Sequence, residues 1–181
     1  MCPLSACWAL QRLQIYKNFV IRKTKIRVEV LFEQVSKLSI NCFLLRDPDL
    51  VVSSFLKKWP DGKMDDFGFM QQHKMFNIIS DKNGTPCPVI DSSSVLKNPE
   101  KVLKKLCFTL NIPWDSRMLK WENGIKDYDG IWAKHWYPSV MTSTGFVSEA
   151  FTERKILTGN AKLFSNKLRP YYDDMIKYII E

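Results

Sequence analysis

Residues 40–58, INCFLLRDPDLVVSSFLKK, join an apolar run, an Arg-Asp-Pro turn and an amphipathic segment without a spacer. That order leaves few architectures open. Cys42-Phe43-Leu44-Leu45 is a short continuous apolar run of the kind that forms a buried strand of a parallel sheet. Pro48 suits the first turn of a helix, where its missing N–H costs nothing, and Leu50, Val51, Phe55 and Leu56 recur at helical spacing. The sequence therefore predicts a strand over Asn41–Leu45, a helix from about Pro48 to Lys58, and Arg46 in the tight turn between them. The carboxyl end of a strand beside a helix N-terminus is where open α/β sheets bind ligands, and free backbone N–H groups there favour an anion. Ser54, about two turns into the helix, is close enough to face a group held by Arg46. The pattern reads as a phosphate site. The plainer alternative is a surface ion pair between Arg46 and Asp47.

Elsewhere the chain alternates strand and helix signals. Phe19-Val20-Ile21 reads as a short strand running into the basic segment Arg22–Arg27, and Val28, Leu31, Val35 and Leu38 mark one face of an amphipathic helix. Trp59-Pro60-Asp61-Gly62 ends the helix that starts at Pro48. Phe69, Met70, His73, Phe76 and Ile79 mark the next, which Asn83-Gly84-Thr85-Pro86 closes; His73 is expected at the edge of the core. Val89-Ile90 is a brief strand. Asn98 is a good N-cap with Pro99 at the first helical position, followed by an apolar stripe through Val102, Leu103, Leu106, Cys107 and Leu110. Pro113 stops that helix. Asp115 to Thr158 has little period and reads as irregular, and Leu168, Tyr171, Tyr172, Met175, Ile176 and Ile179 form a final helix. The alternation predicts an α/β layered fold with parallel strands.

At 181 residues the chain suits one domain with an ordinary core, and 45% hydrophobic with 25% charged residues is the balance of a globular protein. A net charge of +8 favours an anionic partner. The basic residues are dispersed and carry no nucleic-acid motif, so nucleic acid is not the expected partner. The five cysteines are odd in number and lack metal-type spacing, which predicts no metal site and a reducing, cytoplasmic setting; Cys42 and Cys107 are expected in the core. Met1–Leu10 lacks the basic start of a signal peptide, and no run is long enough to span a membrane.

RDPDLVVSS resembles the 3′-phosphate-binding segment of the sulfotransferases. In that family an Arg-x-Pro turn after a strand, with a Ser eight residues beyond the Arg, grips the 3′-phosphate of 3′-phosphoadenosine 5′-phosphosulfate; Arg46 and Ser54 have that spacing. Val89-Ile90-Asp91, Asn98-Pro99-Glu100 and Asn111-Ile112-Pro113-Trp114 resemble the family's strand–loop–helix segment. Gly130-Ile131-Trp132-Ala133-Lys134-His135-Trp136-Tyr137 and Ser143-Thr144-Gly145-Phe146 are similar to a narrower branch, the sulfotransferase-like proteins labelled branched-chain aminotransferase-like. The resemblance runs from about Asn41 to the end, so residues 1–181 are expected to be one sulfotransferase-like domain, with 1–40 divergent and 41–181 family-like. It implies a three-layer α/β fold, a small parallel sheet flanked by helices as in P-loop NTPases. It implies the phosphosulfate nucleotide as cofactor, adenosine 3′,5′-bisphosphate as product, a hydroxyl or amine on a small molecule or glycan as acceptor, and no metal. Arg46 and Ser54 would hold the 3′-phosphate. Phe146 would stack on the adenine where Gly145 permits close approach, or serve as an ordinary core aromatic.

Sulfuryl transfer needs a cradle for the 5′-phosphosulfate, a base for the acceptor and stabilisation of charge on the bridging oxygen. In the family the cradle is a Ser/Thr- and Gly-containing loop between the first strand and first helix. Here the first glycine is Gly62, and Met1–Lys17 offers only Pro3, Ser5 and Ala6. The fold is therefore expected to be incomplete at its N-terminal end, without the first strand–loop–helix unit. Where many sulfotransferases place a His after Lys-Thr, this chain has Lys23-Thr24-Lys25. The catalytic base stays unassigned, with Lys23, Lys25 and His135 as candidates, and packing among Trp132, Trp136 and Tyr137 as the alternative role for His135. Two readings follow: a sulfotransferase, or a non-catalytic nucleotide-binding remnant or truncated product without the phosphosulfate loop.

Overall fold

In the computed structural model, which describes residues 40–124, 142–146 and 156–180, the Arg46 turn leaves the end of a short parallel strand pair. Phe43–Leu45 (β1) and Val89–Asp91 (β2) run in parallel with Phe43 opposite Val89 and Leu45 opposite Asp91. Side chains alternate across a strand, so successive residues of this pair enter two different cores. Phe43, Leu45 and Val89 join one cluster, and Cys42 and Ile90 join the other with Leu44 packed against it. Burial on both faces is what an uninterrupted apolar run provides for.

Each cluster is closed by helices. Pro48–Lys58 (α1) and Phe69–Asn83 (α2) bring Val52, Phe76 and Ile79 to the first cluster, and Gly159–Met175 (α5) adds Leu168, Tyr172 and Met175. Phe43 meets Phe76 edge to face at 5.4 Å between ring centroids. Ser92–Lys97 (α3) and Pro99–Thr109 (α4) supply Val95, Leu103 and Leu106 to the second cluster. The described residues are thus mixed α/β, mostly helical around a two-stranded parallel sheet.

Capping residues set where the helices begin and end. Pro48 and Pro99 stand at the first positions of α1 and α4, and Asn98 accepts a hydrogen bond from the Lys101 N–H at 3.1 Å, as the sequence predicts. Gly84 ends α2 with φ +67°, a left-handed conformation that costs glycine nothing. His73, on α2, lies at the core edge: its Nε2 donates to Asp174 Oδ2 of α5 at 2.8 Å, and its ring meets Tyr171 edge to face. Cys42 and Cys107 are buried, as expected.

Two elements differ from the sequence reading. Residues 92–97, expected as a loop, form α3, because the Asp91 carboxylate accepts from both the N–H and the hydroxyl of Ser94 and so caps a run of serines with little helical preference of its own. Ile179, expected on the last helix, leaves it. α5 ends at Met175, a 3₁₀ turn covers Ile176–Tyr178, and Ile179 becomes extended and bridges Val89 in parallel. Ile180 N–H donates to the Val89 carbonyl at 3.0 Å, so residues 179–180 pair with the side of β2 that faces away from β1. On the outer side of β1, Gln72 Nε2 donates to the Leu44 carbonyl at 3.0 Å, a side-chain substitute for a ladder bond.

The expected strand at Phe19–Ile21, the helix over Val28–Leu38 and the Trp-rich segment Gly130–Tyr137 lie outside the described residues. Among those described, no helix is long and apolar enough to cross a membrane. The packing leads to a paired expectation. Leu168 is fully buried and Phe108 is 82% exposed. Leu168→Ala is expected to cost about 2–5 kcal/mol, and Phe108→Ser no more than about 0.5 kcal/mol; urea unfolding of both variants checks this.

Candidate functional site

The turn between β1 and α1 is organised by Asp47. Its Oδ1 accepts from the Asp49 N–H at 2.8 Å, capping α1. The same carboxylate meets a planar fork from α5: Arg169 Nη1 donates to Asp47 Oδ2 at 3.0 Å and Nη2 to Asp47 Oδ1 at 3.1 Å. Arg169 Nη2 also lies 3.3 Å from Asp49 Oδ1, which accepts from the Ser165 hydroxyl as well. Beneath the fork, the Tyr172 ring centroid is 5.4 Å from the Arg169 guanidinium carbon. Ser165, Arg169 and Tyr172 fall on one face of α5 by their spacing, so one helix side grips the start of α1.

Arg46 stands apart from this network. It is partly buried at the carboxyl end of β1, and among the described residues no ion pair or hydrogen bond engages its side chain. The electrostatics of the two arginines are opposite. Burial pushes the Arg46 guanidinium down from its ordinary value, with no carboxylate among the described residues to offset it. The hydrogen bonds that Arg169 donates to Asp47 raise its own. The surface Arg46–Asp47 pair that the sequence also allowed is not what forms, because Asp47 is committed to Arg169.

Ser54 is exposed on α1, about 9 Å along the axis from Pro48. Phe146 lies elsewhere, half-buried against the second cluster and edge to face with Trp121 at 5.2 Å. Its segment is tied to residues 120–121. Gly145 bridges Lys120, the Trp121 N–H donates to the Thr144 carbonyl at 3.0 Å, and Trp121 Nε1 donates to the Ser143 hydroxyl at 3.1 Å. A Cβ at Gly145 would sit 3.1 Å from the Leu119 carbonyl oxygen, so the close approach this glycine permits is to the chain's own backbone. Lys23, Lys25 and His135 lie outside the described residues. Among the described residues, no group of three or more His, Cys, Asp or Glu is placed to hold a metal ion. Sequence reasoning missed Arg169 altogether, since a partner 122 positions from Asp47 leaves no local signature.

A family model described as Sulfotransferase domain matches residues 22–176. The chain belongs to the sulfotransferase-domain family. Branched-chain-amino-acid aminotransferase-like protein 1 of Arabidopsis thaliana is 34% identical over 138 residues, 75% of this chain and 24% of that protein. Branched-chain-amino-acid aminotransferase-like protein 2 of the same plant is 38% identical over 107 residues, 58% of this chain and 18% of that protein. The chain spans less than a quarter of the length of these relatives. No solved structure matches it. The branch named from the residues around Gly130–Phe146 is therefore borne out, and in this sulfotransferase domain the Arg-Asp-Pro turn falls within the matched residues.

The neighbourhood of the turn also carries an alkaline signature. Burial, with a smaller contribution from Cys87, pushes the Cys42 thiol from 9.0 up to about 12. Burial, then the carboxylates of Asp91 and Asp47, push the Tyr172 phenol from 10.0 up to about 12. Both values are raised, so the unfolded chain gives up these protons at lower pH than the folded one. The stability they contribute is present in full below about pH 9 and is lost as pH rises toward 12. Tyr172→Phe is expected to flatten the part of that decline above pH 10. Urea melts across the pH series check it, and an unchanged slope contradicts it.

Proposed function

We propose that this domain binds the 3′-phosphate end of 3′-phosphoadenosine 5′-phosphosulfate, and that its parent activity is transfer of the sulfuryl group to a hydroxyl or amine acceptor. The observation that carries the reading is Arg46: a partly buried guanidinium at the end of a parallel strand, with no carboxylate partner among the described residues. Such a group is desolvated without compensation among the described residues, a state that a bound phosphate relieves and that makes it a functional-site candidate. The nucleotide, when bound, supplies the sulfuryl group. The chain's own part is to hold the 3′-phosphate through a two-pronged contact from Arg46 and a single hydrogen bond from the exposed Ser54.

In this reading residues 1–181 form one domain of the three-layer, P-loop-like kind, and the strand pair lies in its sheet. The resemblance assigns adenine stacking to Phe146. Its ring already has a packing role against Trp121 and the second cluster, so the phosphate contacts carry the proposal. The alternative is a nucleotide-binding protein without turnover, since every contact proposed here falls on the 3′-phosphate end and none on the sulfuryl group. Phosphate contacts that bind ground state and transition state alike would serve either protein. Transfer of radiolabelled sulfate to phenols, alcohols, amines and sugars separates the two.

Binding tests what both readings share. Arg46→Ala is expected to weaken adenosine 3′,5′-bisphosphate binding by roughly 2–5 kcal/mol, the cost of truncating one partner of a desolvated charge pair. Ser54→Ala is expected to cost less, about 0.5–1.5 kcal/mol. Titration calorimetry gives both values. Equal affinity for the wild type and Arg46→Ala refutes the proposal.

A further inference from the structure

Arg46 and Asp47 are adjacent in the chain, one a guanidinium with no carboxylate partner among the described residues and the other a buried carboxylate. Left to themselves, two such groups pair, since each relieves the other's desolvation. In the structure a third group holds the carboxylate instead. The Arg169 fork occupies both oxygens of Asp47, and Nη2 reaches Asp49 Oδ1 as well. The fork is itself fixed, with the Tyr172 ring beneath it and Ser165, one turn earlier on α5, donating to the Asp49 carboxylate.

We infer that Arg169 is the positioning residue of this site: by engaging Asp47 it keeps that carboxylate from capturing Arg46 and leaves the Arg46 guanidinium open to an anion, while Asp49 is held by the Ser165 hydroxyl as well. The inference rests on the phosphate reading for its ligand, and goes beyond it by naming what holds the site open. Three features support it. A planar fork can meet both oxygens of one carboxylate while touching a second; a lysine ammonium, a single point of charge, cannot. Two carboxylates at the start of α1 would also repel an incoming phosphate, and the fork screens both. Finally, Asp47 keeps its capping bond to the Asp49 N–H while bound to Arg169, so the fork adds to the cap without replacing it.

Arg169→Met keeps an unbranched apolar stem and removes the fork. Adenosine 3′,5′-bisphosphate binding is then expected to fall roughly ten- to a hundredfold, as for loss of a close charge contact. Adding Asp47→Asn in the same chain is expected to restore most of the lost affinity, because asparagine still caps the helix and carries no charge to capture Arg46. A merely structural Arg169 would show no such rescue. A second readout needs no nucleotide: the rate at which the Arg46 side-chain Nε–H exchanges with water, followed by NMR. It is expected to slow in Arg169→Met and to return to the wild-type rate in the double variant. If Arg169→Met does not fold, the double variant compared with the wild type carries the test. Exchange at the wild-type rate there supports the inference, and slowed exchange overturns it. Unchanged exchange in a folded Arg169→Met also overturns it. If the wild type binds no nucleotide while the exchange pattern holds, the phosphate reading fails and the positioning role of Arg169 stands.

Discussion

The Asp47 carboxylate is where the described structure is tied together. It accepts from the first turn of α1 and from a guanidinium on α5, so a local cap and a long-range ion pair meet on two oxygens. The buried carboxylate is tolerable only because those donors replace water; stripping away one partner of such a pair costs more than the pair contributes. With it in place, α1 starts where Pro48 permits, α5 lies against α1, and the strand end carrying Arg46 is fixed in direction. α5 then delivers Leu168, Tyr172 and Met175 to the first cluster and leads the chain to Ile179, which bridges β2.

What the sequence made legible were the features with local causes. The run Cys42–Leu45, the prolines at 48 and 99, the Asn98 cap and the glycine after α2 each act within a few residues, and each lies where the pattern placed it. α3 was not legible because serines are indifferent helix formers, and its start depends on a single Asp91 carboxylate. Ile179 fits a helical period as well as it fits a strand edge; only the open side of β2 decides between them. The candidate site divides the same way. Arg46 could be placed at a strand end from its neighbours, whereas the commitment of Asp47 to Arg169 arises from tertiary contact and has no trace in spacing.

Membership of the sulfotransferase-domain family rests on a match over residues 22–176, and the relatives named above are several times longer than this chain. Family and chemistry meet at the Arg46 turn. In the proposed reading the family supplies the class of ligand, and the structure supplies a desolvated guanidinium whose neighbouring carboxylates are already engaged.

A crystal structure of the protein with adenosine 3′,5′-bisphosphate tests that meeting point most directly. The expected result is a 3′-phosphate with two oxygens about 2.7–2.9 Å from the Arg46 guanidinium, Ser54 turned toward it, and Asp47 still held by Arg169. A nucleotide bound elsewhere with Arg46 uninvolved, or an Arg46 folded onto a carboxylate, would contradict it.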